Sequence, residues 1–158
     1  MQDPKHNSRV ITILVADDDE DDLRLVTDAF KATDATLDLR YAENGEELLN
    51  YLHRQGAYGA PSASPLPALI LLDLNMPVKD GREALAEIKS DPRLRRIPVV
   101  VLTTSEAKED IQASYDLGVN SFITKPSTYT GLIKLMRTLY EYWIKSVQLP
   151  LSGANGHN

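Results

Sequence analysis

Asp17, Asp18, Asp73, Thr103 and Lys125 are scattered along the chain, yet each follows or closes a strongly apolar run. Three carboxylates brought to one point would repel one another and raise one another's pKa unless a cation were present. Every donor in the set is oxygen, with no His or Cys among them, which suits a hard cation such as magnesium. Magnesium takes one or two carboxylates, keeps several waters and bridges to a phosphoryl oxygen. Lys125 would then act as a second positive clamp and Thr103 as a neutral donor. Such a set fits phosphoryl transfer, in which the protein positions the group and neutralises charge. Taken singly, each residue has a plainer use. A strand-end Asp can cap a helix, Thr103 can be an N-cap, and Lys125 can be a surface charge or a structural partner of Asp73. Their joint occurrence at four strand ends favours a shared crevice.

The elements that must place these residues are legible from periodicity. Residues 68–72 form a continuous apolar run that ends in Asp73-Leu74-Asn75-Met76-Pro77, as a strand buried on both faces would. Residues 10–16 are a second β-branched strand, running directly into six consecutive acids at 17–22. Asp17 and Asp18 belong to the strand end, whereas Asp19, Glu20, Asp21 and Asp22 are expected at the N-terminus of a helix carrying Leu23, Val26 and Phe30, where the dipole favours negative charge. Leu37, Leu39 and Tyr41 alternate with Asp38 and Arg40, a half-exposed strand that suits a sheet edge. Asn44-Gly45 opens a helix with Leu48, Leu49 and Leu52, and the Gly-, Pro- and Ser-rich residues 56–67 form a loop. Asp80-Gly81 turns into a helix with Ala84, Leu85 and Ile88 inward, stopped by Asp91-Pro92. Residues 97–102 are a further buried strand, and Thr103-Thr104-Ser105 are expected to cap a helix over 106–117 that closes at Gly118. A short strand at 121–124 and a long helix from about 128 to 146 complete the chain. Strands alternating with helices, without a tight hairpin signal, predict right-handed crossovers and a parallel α/β sheet with helices on both faces. Ligands of such a sheet bind at the carboxyl ends of its strands.

Composition narrows the rest. At 158 residues the chain is expected to be one domain, a core of 9–147 between a disordered segment at 1–8 and a tail at 148–158. A net charge of −6 argues against nucleic-acid or acidic-membrane binding. The absence of cysteine excludes disulfides, thiolate metal sites and cysteine catalysis. Residues 1–8 lack the apolar core of a signal peptide, and no run approaches a membrane span, so a cytoplasmic protein is expected.

The segments Ile13-Leu14-Val15-Ala16-Asp17-Asp18-Asp19, Leu72-Asp73-Leu74-Asn75-Met76-Pro77, Asp80-Gly81, Val101-Leu102-Thr103-Thr104-Ser105 and Lys125-Pro126 together resemble the response-regulator receiver domain of two-component signalling. The resemblance implies a flavodoxin-like doubly wound five-stranded parallel sheet, ordered 2-1-3-4-5, with five helices. It implies that Asp73 accepts a phosphoryl group from a histidine kinase, with Asp17, Asp18, Asp73 and the backbone carbonyl of Asn75 around Mg2+. Thr103 and Lys125 would contact the phosphoryl oxygens. Phe122 falls where the family has the aromatic that swings inward with Thr103 on activation, without the hydroxyl of the tyrosine many relatives carry. Lys125-Pro126 falls where the family has a cis peptide. The 56–67 loop, residues 96–105 and the aromatic tail around Tyr142-Trp143 resemble the small regulators paired with phytochrome-type kinases; Asp17 stands where that subfamily often has Glu. The domain would catalyse only its own phosphorylation and dephosphorylation.

Only thirteen residues follow Lys145, so the output is expected to be a contact with a downstream protein made by the domain itself. Leu132, Met136, Leu139, Trp143 and Val147 form one apolar stripe of the last helix, expected to cover the sheet. Ile133, Tyr140 and Ile144 form a second, expected at the surface as a homodimer contact with the last strand. Ser105, two residues past Thr103, is expected near the water that hydrolyses the acyl phosphate. Two rival functions remain. An aspartate-nucleophile phosphatase would want a general acid where Asn75 stands, and a receiver-like scaffold that takes no phosphate would not need the acid, hydroxyl and lysine set.

Overall fold

The computed structural model describes residues 10–33, 36–55 and 65–150. Its elements follow in the order β1 (Thr12–Ala16), α1 (Glu20–Thr33), β2 (Asp38–Ala42), α2 (Gly45–His53), β3 (Leu69–Leu72), α3 (Gly81–Ser90), β4 (Val99–Thr103), α4 (Lys108–Leu117), β5 (Ser121–Thr124) and α5 (Tyr129–Leu139), which runs on into a π-helical segment (Tyr140–Ser146). The five strands are parallel and ordered β2-β1-β3-β4-β5, the doubly wound flavodoxin-like arrangement. Residues 1–8, most of the 56–67 loop and the end of the 148–158 tail lie outside the described residues.

Because strand side chains alternate, each buried strand feeds two cores. Leu14, Ala16, Ile70, Leu72, Val99 and Val101 pack with Leu48, Leu52, Leu85 and Ile88 of α2 and α3 on one face. Ile13, Val15, Leu69, Leu71, Val100 and Leu102 pack with Val26 and Phe30 of α1 and with Leu132, Met136 and Leu139 of α5 on the other. β1, β3 and β4 are buried throughout, as their unbroken apolar runs require. β2 is one of the two edge strands, with Leu39 buried and Tyr41 exposed.

The helices start and stop where their capping residues stand. Asp19 accepts the backbone N–H groups of Asp21 and Asp22 and so opens α1. Asn44 caps α2, and Asp80 with Glu83 forms a reciprocal capping box on α3. α4 departs from expectation, beginning at Lys108 after Ala107 with no side-chain cap. The Ser105 hydroxyl accepts the N–H of Ala107 itself at 3.3 Å, ahead of the first helical residues, and donates to the Asp110 carboxylate in the first turn at 2.6 Å. Gly118 closes α4 at φ 110, a left-handed conformation that glycine adopts without strain.

The last helix also differs. Its final turns widen to i→i+5 bonding, with the Val147 N–H on the Tyr142 carbonyl at 2.9 Å. Tyr140, Trp143, Ile144 and Val147, spaced i, i+3, i+4 and i+7, all lie on the core side. Tyr140 is only 6% exposed, with its ring tilted on Phe30 at a 6.4 Å centroid separation. The expected surface strip of Ile133, Tyr140 and Ile144 is corrected accordingly: Tyr140 is core, and Ile144 packs against the core.

Candidate functional site

Strand register gathers the candidate residues before any side chain is considered. Ala16 of β1 pairs with Leu72 of β3, so the residues that follow them, Asp17 and Asp73, emerge side by side where the sheet order reverses. The Asp73 N–H continues that ladder onto the Ala16 carbonyl at 2.9 Å. On the other side Thr103 pairs with Thr124, and the Lys125 N–H reaches the Thr103 carbonyl at 2.7 Å. Among the described residues no peptide is cis, so Lys125-Pro126 is trans here and the expected cis bond is corrected. The lysine reaches the crevice from the strand end all the same.

Each of the two buried acids is held by its own chain. Asp17 accepts the Asp19 N–H on Oδ1 at 2.9 Å, and Asp73 accepts the Asn75 N–H on Oδ1 at 3.0 Å, the Asx-type turn that leaves Oδ2 free to face inward. Both Oδ2 atoms point at one ammonium: Lys125 Nζ lies 2.8 Å from Asp17 Oδ2 and 3.1 Å from Asp73 Oδ2. A third carboxylate, Asp22 Oδ2, lies 2.7 Å from the same nitrogen. Asp18, exposed, brings its carboxylate to within 4.8 Å of those of Asp17 and Asp73. Three acids therefore share one base, with a fourth beside them.

That imbalance sets the electrostatics. Burial pushes the Asp17 carboxyl up to about 6, and the Lys125 ammonium and the Asp19 N–H recover only part of the lost hydration. Lys125 is affected oppositely. Burial disfavours its charge, but hydrogen bonds to Asp17 and Asp22 outweigh this and raise its pKa. One ammonium surrounded by three carboxylates stays charged, while each carboxylate has only a share of a partner.

The chain matches the family described as "Response regulator receiver domain" over residues 13–137. The chain belongs to the response-regulator receiver family. It is 43% identical over 150 residues to Response regulator Rcp1 of Synechocystis sp., covering 95% of this chain and 99% of that one. The crystal structure of the phosphorylated cyanobacterial phytochrome response regulator RcpA superposes with a TM-score of 0.85 at 42% identity, covering 90% and 99% of the two chains. The Mn2+-bound form of Rcp1 gives 0.83 at 44% identity, covering 89% and 99%.

Receiver domains hold a divalent metal at an acidic pocket, and this one has the donors for it. Asp17, Asp18 and Asp73 converge with oxygen atoms alone, and the surplus negative charge beside a desolvated Asp17 is what a divalent cation would relieve. Exposed acids cluster on many surfaces without a metal; here Asp17 and Asp73 are 6% and 7% exposed, where uncompensated charge is costly.

Thr103 is wholly buried at the end of β4, and its hydroxyl accepts from the Asn75 side-chain amide at 3.4 Å and from the Ser105 N–H at 3.5 Å. Asn75 is in turn reached on Oδ1 by the Arg82 guanidinium at 3.4 Å. Arg82 forks onto Asp110 of α4 with two bonds of 2.7 Å and also holds Asp80. Ser105, expected beside the hydrolytic water, spends its hydroxyl on this Asp110. Phe122 is half-buried in β5 and packs against the α2–α3 core, with its backbone N–H on the Tyr115 hydroxyl at 3.1 Å. Sequence alone does not mark Asp22 or Arg82 as site residues: Asp22 reads as a helix-dipole acid whose helical phase is its one signal, and Arg82 carries none. Among the described residues no helix is long and apolar enough to cross a membrane.

Proposed function

We propose that this receiver domain accepts a phosphoryl group on Asp73 from a histidine kinase of the phytochrome type and signals by protein contact. The observation that carries the reading is the convergence of Asp17, Asp73 and Lys125 at hydrogen-bond distance, with Asp18 alongside, at the carboxyl edge of the sheet. Similarity to regulators named for phytochrome signalling supports the kinase type.

In this reading an Asp73 carboxylate oxygen attacks the phosphorus of the kinase phosphohistidine. The new O–P bond forms as the P–N bond breaks, and the imidazole leaves with that electron pair and takes a proton from solvent. Asp17, Asp18, Asp73 and the main-chain carbonyl of Asn75 would hold Mg2+, which when bound neutralises charge on the transferring group. Lys125 moves its ammonium from the Asp73 oxygen to a phosphoryl oxygen. Thr103 donates its hydroxyl to another, and Phe122 follows it inward. The domain's only other reaction is hydrolysis of the acyl phosphate, in which water attacks the phosphorus, the bond to the Asp73 oxygen breaks, and inorganic phosphate leaves with the carboxylate restored. The domain spans residues 9–147 and acts in the cytoplasm, with a second copy docking on β5 and the outer side of α5 through Ile133, since Tyr140 and Ile144 pack on the core side.

The phosphatase alternative is disfavoured because Asn75, two residues after Asp73, offers an amide already engaged with Thr103 and Arg82. The scaffold alternative is disfavoured by the strained charge balance around Asp17, which a site without cation or phosphate has no reason to keep. The test is intact mass after incubation with acetyl phosphate and magnesium, with and without Asp73→Asn. One labile phosphoryl adduct on the wild type alone is expected; an adduct on the variant, or none on the wild type with either acetyl phosphate or a phytochrome-type kinase, would refute the assignment. Sedimentation of the phosphorylated and unmodified chain tests the second copy, and a monomer in both states would refute it.

A further inference from the structure

Lys125 is gripped from three sides, and the third grip has no part in the site as described so far. Asp22 lies in the first turn of α1, and its Oδ2 makes the shortest of the three contacts to Lys125 Nζ, at 2.7 Å against 2.8 Å for Asp17 and 3.1 Å for Asp73. Helix-dipole stabilisation does not explain this geometry, since Glu20 and Asp21 already place acids in the same turn. Nor is Asp22 among the carboxylates that converge on a common point, which are those of Asp17, Asp18 and Asp73.

That separation matters once the site is in use. A cation draws on Asp17, and phosphorylation turns an Asp73 oxygen into an acyl phosphate. Two of the three acceptors of Lys125 are thereby altered, and Asp22 is the one left unchanged. A lysine ammonium rides on a flexible four-carbon stem, so a fixed carboxylate decides where it stands. With the Lys125 side chain only 8% exposed, solvent cannot take over that task. We propose that Asp22 is a positioning residue: it retains Lys125 at the mouth of the sheet throughout the phosphorylation cycle and ties α1 to the end of β5. The inference rests on Asp73 being the phosphoacceptor.

The proposal makes a prediction of definite sign. A further negative charge beside an incoming phosphoryl group should by itself oppose phosphorylation, so its removal would speed the reaction. If Asp22 instead positions Lys125, its removal slows the reaction.

The test follows the initial rate of adduct formation with acetyl phosphate and magnesium on the full chain, for the wild type, Asp22→Asn, Asp22→Glu, Lys125→Ala and the double variant Asp22→Asn/Lys125→Ala. Losing one charge-assisted hydrogen bond should slow Asp22→Asn about tenfold. Asp22→Glu should recover most of the rate, and Asp22→Asn should change the Lys125→Ala background less than about twofold. A second readout needs no phosphate: the 15N signal of the Lys125 ammonium, sharp when its protons are held, should broaden in Asp22→Asn with the melting temperature nearly unchanged. Should Asp22→Asn unfold, Asp22→Ser, a residue at home in a helix's first turn, takes its place. Equal or faster phosphorylation of Asp22→Asn, or equal slowing on both backgrounds, would overturn the inference. A wild type that takes no phosphoryl group would overturn the phosphoacceptor reading itself; the Lys125 signal tells that failure from a failure of Asp22 to hold the lysine.

Discussion

Asp17→Asn should stabilise the metal-free protein. The Asp17 carboxyl stands at about 6 in the fold against an ordinary 3.8, first because it is buried and only partly because Asp73 is near. For a carboxylate whose folded pKa is raised, the folded state binds more protons between those two values. Stability is therefore lost as pH rises through that window and stays lower above it. About two pH units correspond to ~3 kcal/mol at pH 7, and the side chain is 8% exposed, so little of this is screened by solvent. An amide keeps an oxygen for the Asp19 N–H but is a weaker acceptor for Lys125, which brings the expected gain to ~1–2 kcal/mol. For a chain of this size that is a rise of about 3–8 °C in Tm. The assay is thermal unfolding in chelator at pH 7 and pH 5. The advantage of the variant should fall by ~1.3 kcal/mol at pH 5, most of the expected gain, because wild-type Asp17 is there mostly protonated in the fold. With magnesium at about 100 times its Kd the wild type should gain ~2.7 kcal/mol and the variant much less, reversing the order. A variant less stable than the wild type in chelator, or an advantage that does not change with pH, would refute the reasoning.

Three further outcomes are expected. Val78 holds φ 65 in the β3–α3 loop while 74% exposed, a left-handed conformation that costs a β-branched residue ~1–2 kcal/mol with little packing in return; Val78→Asn should stabilise by about 1 kcal/mol in urea titrations. A Cβ on Gly81 would lie 2.3 Å from the Asp73 carbonyl oxygen and 2.7 Å from Leu74 Cα, both backbone, so Gly81→Ala should cost ~2–3 kcal/mol and weaken magnesium binding measured by calorimetry. The Arg82 guanidinium, and then the Ser105 hydroxyl, hold the Asp110 carboxyl down to about 2. A depressed carboxylate contributes stability that is full above its unfolded pKa and lost as pH falls towards the folded one, here from about 4 to about 2. Because Arg82 is 39% exposed, solvent screening reduces the contribution to ~1 kcal/mol, so Asp110→Asn should destabilise by that amount at pH 6 and match the wild type near pH 2.

What the sequence disclosed, and what it hid, divides along physical lines. Near-continuous apolar runs located β1, β3 and β4, which are covered on both faces and polar only at Thr12 and Thr103, while alternation located β2 and a short run β5. Those strand ends then delivered Asp17, Asp73, Thr103 and Lys125 to one edge, since parallel register leaves few other arrangements. The π-helical widening at Tyr140–Ser146 was hidden because a regular 3.6-residue reading assumes the turn it is meant to detect, and the burial of Tyr140 was hidden because its ring contact, Phe30, lies on α1 far away in sequence. The start of α4 was hidden because the Ser105 hydroxyl engages the helix differently from an N-cap, accepting the Ala107 N–H and donating to the Asp110 carboxylate in the first turn. Arg82 could not be foreseen at all, since its bonds to Asp110 join residues 28 apart.

Asp22 lies between these cases, and it shows how a site can outgrow its motif. The acidic run reads as one block, yet its members are sorted by geometry alone. Asp17 ends the strand, Asp19 caps the helix, and only the third residue of α1 has the phase to face Lys125 across the crevice. Composition assigns all of them the same modest role at a helix N-terminus. The tight Asx turn from Asp17 to Asp19 fixes where α1 begins, and that starting angle, rather than any residue type, turns Asp22 towards the ammonium. If so, inserting one residue between Asp19 and Glu20 should rotate Asp22 about 100° away from Lys125 while leaving every acid present. Loss of the Lys125 ammonium signal in such a variant, with α1 still helical by circular dichroism, would tie the contact to phase; an unchanged signal would show that any acid of the run can serve.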